Sequence, residues 1–380
     1  MNSRSPRAVC HWLAVSVRRS LFALAASCVA AKAAPTPTAP KWHPGHYVFV
    51  GHGAIRDDLI ALPRFRGIQR CYTWLKLEPE RGRYDFSAIR DDLARLQPAG
   101  KQLVLQIQYK AFGKDQRYCP AYLAGPEFGG GVYRASSGSW NPVLWNDRVS
   151  ERMEALFAAL GREFDRHAGV EAAVLPETAP SASLEKNPQP GVEPFTTERY
   201  VVALQRQMLA LRRAFPSTAV IQYANFPQAA LPDLVAYMKE IGVGLGGPDV
   251  YPRPSNLSDP ERGIYRLYAR LAGTAPLGAA VQSPDYSVAN WKRTAAFNRG
   301  QDRASAAVTA DEEKPIPPRD FLQLARETLK LNYLFWSASP RPHFAAVAEM
   351  LAEPDLAADP AGGLDARIPA RAFVQPAKPD

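Results

Sequence analysis

Cysteine is scarce: four in 380 residues, with no Cys-x-x-Cys pair. That excludes a disulfide-held mini-domain and the common structural zinc sites. Histidine is equally thin. His43 and His46 sit in a His-Pro-Gly-His turn ahead of the first strand-like run, His167 follows a helix, His343 follows the last strand, and His52 alone falls at a strand end. No metal site is expected from such a set, and no cofactor is implied. There is no G-x-x-x-x-G-K-[ST] loop, no G-x-G-x-x-G after a strand and no G-x-S-x-G elbow, which removes nucleotide binding of the usual kinds and Ser-His-Asp hydrolysis. Basic charge is present but not concentrated. The net +9 includes Arg4, Arg7, Arg18, Arg19 and Lys32 with no acid before residue 34, and removing these five leaves 41 basic against 37 acidic residues. With no dense Lys/Arg run, nucleic acid is not an expected partner.

Those basic residues have a different meaning. Residues 1–20 are basic, 21–31 (LFALAASCVAA) are apolar, and 31–33 read Ala-Lys-Ala. This is the pattern of a secretory signal peptide over 1–33. The apolar run is too short for a spanning helix of about 20 residues, so no transmembrane segment is expected. The sequence therefore predicts an exported protein, periplasmic or extracellular. Ala-Ala-Ser-Cys at 25–28 is a poor lipoprotein box that would leave a lipidated Cys28. Residues 34–42 are a Pro-rich linker, and export makes a Cys71–Cys119 disulfide possible.

The body of the chain alternates short β-rich runs with amphipathic stretches. Strand-like runs fall at 46–51, 67–74, 102–109, 170–178, 219–226, 242–251, 276–283 and 332–339. Between them lie helical stripes: Ile89, Leu93, Leu96; Val149, Met153, Leu156, Leu160, Phe164; Tyr200, Leu204, Met208, Leu211; and Phe321, Leu324, Thr328, Leu331. Eight βα units predict an α/β (β/α)8 TIM barrel over 43–351, with long loops after strands 3, 4 and 7 and a doubly wound sheet as the competing arrangement. Residues 352–380, rich in Pro, Ala and Asp, read as a loose tail. Gly244–Gly247 leads into Pro248 and Asp249 rather than a helix, and is read as a backbone constraint.

Chemistry in such a barrel belongs at the C-terminal strand ends. The residues there are His52, Trp74, Glu78, Gln108, Tyr109, Glu177, Tyr223, Asn225, Asp249, Tyr251, Gln282, Asp285 and Trp336. Aromatic rings stack on sugar faces, while amides and carboxylates bond hydroxyls, so this mixture suits a carbohydrate better than a phosphate. The expected partner is an oligo- or polysaccharide; the oligomeric state is open.

Residues 74–86 (WLKLEPERGRYDF) carry a more specific signal: Trp74, Glu78-Pro79, Gly82 and Tyr84-Asp85-Phe86. The segment resembles the stretch after strand 2 in clan A glycoside hydrolases, particularly the family 42 β-galactosidases. Weaker likenesses continue at 119–123, 145–164 and 333–336. The resemblance implies a barrel that binds or cleaves glycosides, with the acid/base Glu ending strand 4 and a nucleophile Glu ending strand 7. Glu177 matches the first position, although Pro176 stands where the family has Asn. Gln282 stands at the second, where a carboxylate is required. Asp285 is then the second catalytic candidate and Asp249 a third. The remaining alternatives are retention, inversion, or a catalytically silent glycan-binding barrel of the cell envelope. Two carboxyl groups about 5–5.5 Å apart retain the anomeric configuration, and about 6.5–9.5 Å invert it. His52, Trp74, Tyr109, Asn225, Asp249, Tyr251, Gln282 and Trp336 are the candidate substrate-binding residues, with Trp336 as the sugar platform that the resemblance implies.

Three loops border that site. The one after strand 3 carries Phe112, Tyr118, Tyr122, Phe128, Tyr133, Trp140 and Trp145, either as a cleft wall or as a packed lid. The one after strand 4 is Pro-rich. The loop after strand 7 contains Trp291, Lys292 and Arg293, whose charges would suit an acidic sugar.

Overall fold

A computed structural model describes residues 41–180, 184, 188–298 and 300–374. The expected signal peptide, Cys28 and residues 34–40 of the linker lie outside the described residues. Eight strands form the barrel: β1 (Gly45–Phe49), β2 (Gly67–Thr73), β3 (Gln102–Gln108), β4 (Val170–Leu175), β5 (Ala219–Tyr223), β6 (Gly244–Gly247), β7 (Leu277–Val281) and β8 (Tyr333–Ser337). Each pairs in parallel with its sequence neighbour, and β8 closes on β1 with Tyr333 opposite Gly45. The expected (β/α)8 barrel is thus the fold observed.

Alternate residues on each strand point in opposite directions, which divides the apolar residues into two sets. Tyr47, Val104, Ala172, Val174, Ala219, Ile221, Tyr223, Ala280, Tyr333 and Phe335 fill the barrel interior. Val48, Ile68, Leu105, Ile107, Leu175, Val220, Leu277, Val281, Leu334 and Trp336 belong to the larger cluster shared with the helices. The glycines of β6 make room inside: a Cβ on Gly246 would lie 2.5 Å from the Tyr223 ring and 2.4 Å from the Gly278 carbonyl. The glycine run is thus a packing requirement of the barrel interior.

Around the barrel run α1 (Ser87–Leu96), α2 (Asp147–Phe164), α3 (Thr197–Ala214), α4 (Leu231–Ile241), α5 (Val288–Asn298) and α6 (Arg341–Leu351). The stripes expected for α1, α2 and α3 are buried throughout. Asn146 and Thr196 cap α2 and α3 by accepting from Val149 N and Arg199 N, the preferred N-cap chemistry. The stripe before β8 departs from expectation. A wide turn over Leu324–Thr328 interrupts helical spacing, so Ala325 and Leu329 face the core and Thr328 faces solvent. No described helix is long and apolar enough to cross a membrane.

The loose-tail expectation is corrected for residues 352–374. Leu356, Ala361, Leu364 and Ala372 are buried, and the backbone of this segment accepts bonds from the barrel. Asn332 Nδ2 donates to Asp365 O at 2.8 Å, Arg212 Nη1 to Ala372 O at 2.7 Å, and Trp42 Nε1 to Ala366 O at 2.8 Å. A composition poor in large apolar residues hides this, because main-chain acceptors do the anchoring. Lys41 is likewise seated, its Nζ donating to Asp165 O at 2.5 Å and Thr218 Oγ1 at 2.7 Å. At this N-terminal end of the barrel, buried Glu171 accepts from Tyr333 Oη at 2.7 Å and His43 N at 2.6 Å, and pairs with His43 Nδ1 at 2.7 Å. His43 and His46 therefore lie at the end away from the expected chemistry.

Candidate active site

The C-terminal end of the barrel is built on a layer of amides. Gln69 Nε2 on β2 donates to Gln106 Oε1 on β3 at 3.1 Å and to Tyr223 Oη on β5 at 2.9 Å. Above it, Gln108 Nε2 donates to Lys110 O at 2.8 Å. Buried atoms Gln69 Oε1, Gln108 Oε1 and Asn225 Oδ1 have no hydrogen-bond partner in the protein, which leaves three unsatisfied acceptors among these amides.

Glu177 stands two residues past β4 and is half-buried. Asn225, two residues past β5, donates through Nδ2 to Glu177 Oε2. Asn225 is itself fixed by Thr178, whose Oγ1 accepts from Asn225 N at 3.2 Å and Phe226 N at 3.3 Å. Pro176 is not a loss at this point. Its carbonyl accepts from Gln222 Nε2 at 2.5 Å, and the amide beside the carboxylate comes from β5 instead of from residue 176. Lys110, past the end of β3, donates from Nζ to Glu177 O and Ala179 O, both at 2.9 Å. Burial pushes the Glu177 carboxyl above its usual range, opposed by the Lys110 charge and the Asn225 bond.

Asp249 follows β6 by two residues and is also half-buried. Burial, reinforced by the negative charge of Glu177, pushes its pKa up to about 7. Asp285, past β7, is raised as well, by burial and by the charge of Asp249, so three carboxyls with elevated pKa values stand at one barrel end, and perturbed carboxyls of this kind mark candidate acid/base sites.

Several sequence expectations are redirected. Asp285 is completely buried in a short turn, where its Oδ2 accepts from Gln282 N at 2.7 Å while the Gln282 side chain accepts from Asp285 N. Gln282 Nε2 also donates to Pro248 O at 2.9 Å. These two residues form a reciprocal cap that ties β7 to β6 and occupies one oxygen of the Asp285 carboxyl, while its Oδ1 is buried with no hydrogen-bond partner in the protein. Trp336 is fully buried on the outward side of β8, with Nε1 bonded to His46 Nδ1 at 2.9 Å. Trp74 is buried and donates from Nε1 to Glu78 Oε2 at 2.9 Å. Tyr109 is buried and donates to Gln207 Oε1 on α3 at 3.0 Å. None of these three is a sugar platform. Glu78 is structural, accepting also from Gly82 N at 2.8 Å and from Arg152.

Aromatic surface comes from elsewhere. Tyr251 stacks on half-buried Trp291 with ring centroids 4.2 Å apart, and exposed His52 lies against Tyr118 at 4.6 Å. Phe112, past β3, and Phe226, past β5, are 48% and 36% exposed, on the strands either side of the one that carries Glu177. Three of the seven aromatics of the loop after β3, Phe128, Tyr133 and Trp145, are packed inside it, and Trp145 meets Phe195 edge-on at 5.2 Å; Tyr118, Tyr122 and Trp140 are half-buried and Phe112 is exposed. The basic pair after β7 is neutralised, Lys292 by Glu312 at 2.6 Å and Arg293 by Glu313. The expected preference for an acidic sugar thus loses its basis. Cys71 and Cys119 are free thiols. Among the described residues no group of three or more His, Cys, Asp or Glu is arranged to hold a metal ion. Lys110 and Thr178 were not anticipated, although Lys110 directly follows a predicted strand end, which is itself the signal.

No protein-family model matches the chain, and no curated protein matches it. Solved structures do. A GH5_18 structure from Bifidobacterium longum subsp. longum aligns with a TM-score of 0.50 at 11% identity, covering 82% of this chain and 80% of its own. A β-galactosidase from Bacillus circulans sp. alkalophilus aligns with a TM-score of 0.51 at 11% identity, covering 81% of this chain and 55% of its own. At that identity the likeness is one of fold: the chain has the (β/α)8 barrel of the glycoside hydrolases that residues 74–86 resemble.

Proposed function

We propose that this protein is an exported glycosidase in which Glu177 is the general acid/base and Asp249 the second carboxylate. The observation that carries this reading is the pair itself. Both groups stand two residues beyond barrel strands separated only by β5, both have raised pKa values, and the charge of one raises the other. A group that titrates near neutrality can hold a proton for a leaving oxygen and take one from water. Asn225 orients Glu177 through Nδ2 and keeps Oδ1 as an acceptor for a sugar hydroxyl. Phe112 and Phe226, in the loops past the strands flanking that of Glu177, are exposed aromatic surface that a sugar ring could use. Export rests on the sequence pattern of residues 1–33 alone.

The test is hydrolysis of a panel of neutral glycosides by purified protein, followed by ¹H NMR of the anomeric products. Glu177→Gln removes turnover and retains ligand binding, and the anomer released reports whether the carboxyls are spaced for retention or inversion. A second reading, a silent glycan-binding barrel, is favoured by one observation: the Gln282 amide is committed at both its ends to protein partners. Glycan binding by the wild-type protein, with no turnover of any glycoside, would select it.

A further inference from the structure

Lys110 is the least expected group near Glu177. It is 3% exposed, on a strand end, and its Nζ has three oxygen partners: Glu177 O at 2.9 Å, Ala179 O at 2.9 Å and Tyr200 Oη at 2.7 Å. An ammonium has three donors, so this set satisfies it completely. Tyr200, on α3, donates in turn to Thr178 O at 2.8 Å. Three consecutive carbonyls, those of 177, 178 and 179, are therefore captured by two side chains that also bond each other. That exceeds what a loop anchor requires, because a single bond fixes a loop's position whereas three in succession fix the orientation of each peptide plane.

We propose that Lys110 and Tyr200 form a clamp that positions Glu177, and that the Lys110 cation holds down the proton affinity of the Glu177 carboxyl. Lys110 is a positioning residue; it donates to the backbone of Glu177 and not to its carboxylate. The groups around it are Glu177 on the loop after β4, Tyr200 on α3, its chain neighbour Tyr109, and Tyr133 of the loop after β3, which lies close to Tyr200. Glu177 is the only acid in that set. Burial lowers Lys110 to about 7 and the charge of Glu177 opposes the fall, so the two groups support each other's ionised forms. The chemical meaning of the clamp rests on the glycosidase reading; its geometry does not.

The experiment therefore has a readout independent of turnover. Glutamate carboxyls are labelled with ¹³C in the full-length protein, the Glu177 resonance is assigned with Glu177→Gln, and its titration is followed in wild type, Lys110→Met, Lys110→Gln and Lys110→Arg. In both neutral variants Glu177 is expected to hold its proton to a concentration about tenfold lower, and in Lys110→Arg to stay near wild type. Tyr200→Phe, which keeps the cation, is expected to speed amide exchange at Glu177, Thr178 and Ala179 at least about tenfold. A Glu177 titration unmoved in the neutral variants overturns the electrostatic role. Unchanged exchange in Tyr200→Phe overturns the clamp, and this arm decides it if the Lys110 variants do not fold. If both the titration and the exchange shift while the wild-type protein cleaves no glycoside, the inference stands and the glycosidase reading fails. If turnover is found and the titration does not move, the inference fails alone.

Discussion

Strand β4 carries a glutamate at each end, and the two occupy opposite environments. Glu171, at the start of the strand, is buried and surrounded by donors from Tyr333 and from both the main chain and the ring of His43. Glu177, past the end, has one side-chain donor, Asn225, and a second carboxyl whose pKa it raises. The same residue type on the same strand is thus a structural tie at one end and, on the glycosidase reading, a proton carrier at the other. The difference lies in how many donors surround the oxygens: a fully coordinated carboxylate is committed, and a partly coordinated one remains free to react.

That contrast can be broken experimentally. The largest effect is expected for Glu177→Gln, with turnover falling about 10²–10⁴-fold while the denaturation midpoint stays near wild type, since an isosteric amide removes a buried charge. Glu171→Ala should do the reverse. Urea unfolding should show a loss of about 3 kcal/mol, because His43 N and Tyr333 Oη lose their acceptor, with turnover per folded molecule retained. A loss of turnover in Glu171→Ala at full occupancy of the fold would erase the distinction between the two ends.

The pH dependence sharpens it. Asp249 binds its proton more tightly in the folded chain, with a pKa of about 7 against roughly 3.9 when unfolded. Its contribution to stability is therefore fully present below about pH 4 and is lost as pH rises toward 7. Lys110 acts in the next window. Its folded value of about 7 lies below the unfolded value of roughly 10.4, so its contribution increases stability as pH rises from 7 to about 10. Asp249→Asn should make the first limb shallower, leaving the share that buried Asp285 contributes, and should leave the second limb unchanged. Denaturant midpoints measured across pH 4–10 check both signs. The smallest effect is expected for Asp285→Asn, which keeps an oxygen for Gln282 N: turnover within about threefold and stability within about 1 kcal/mol. A hundredfold loss there would return Asp285 to the chemistry.

Much of this was legible in the sequence, and two of the errors share one cause. The eight β-rich runs located every barrel strand, and Glu177, Asn225 and Asp249 were identified because they lie in short segments just past strand ends. Trp336 and Tyr109 were assigned to the cleft although each is one residue out of phase with it. Phe335 and Gln108 face inward, and their neighbours face the helices. A strand of a parallel barrel is apolar on both faces, so no alternation of polar and apolar residues reveals which parity points inside. Trp74 fails for a different reason: its partner Glu78 lies within the same motif, and the two satisfy each other. Asp285 was unreadable because a Pro-Asp pair says nothing about whether its carboxylate is turned toward substrate or back onto its own turn.

The reciprocal cap between Gln282 and Asp285 has a consequence for how this barrel can change over evolutionary time. A glutamate at 282 could still accept from Asp285 N, but it could not donate to the Pro248 carbonyl, and it would bring a third carboxyl beside Asp249 and Asp285, both already pushed toward their protonated forms. One codon change therefore does not lead to a working nucleophile there. The route passes through a destabilised intermediate unless position 285 loses its acid first, and the order of those two substitutions, rather than their sum, decides whether the path is open.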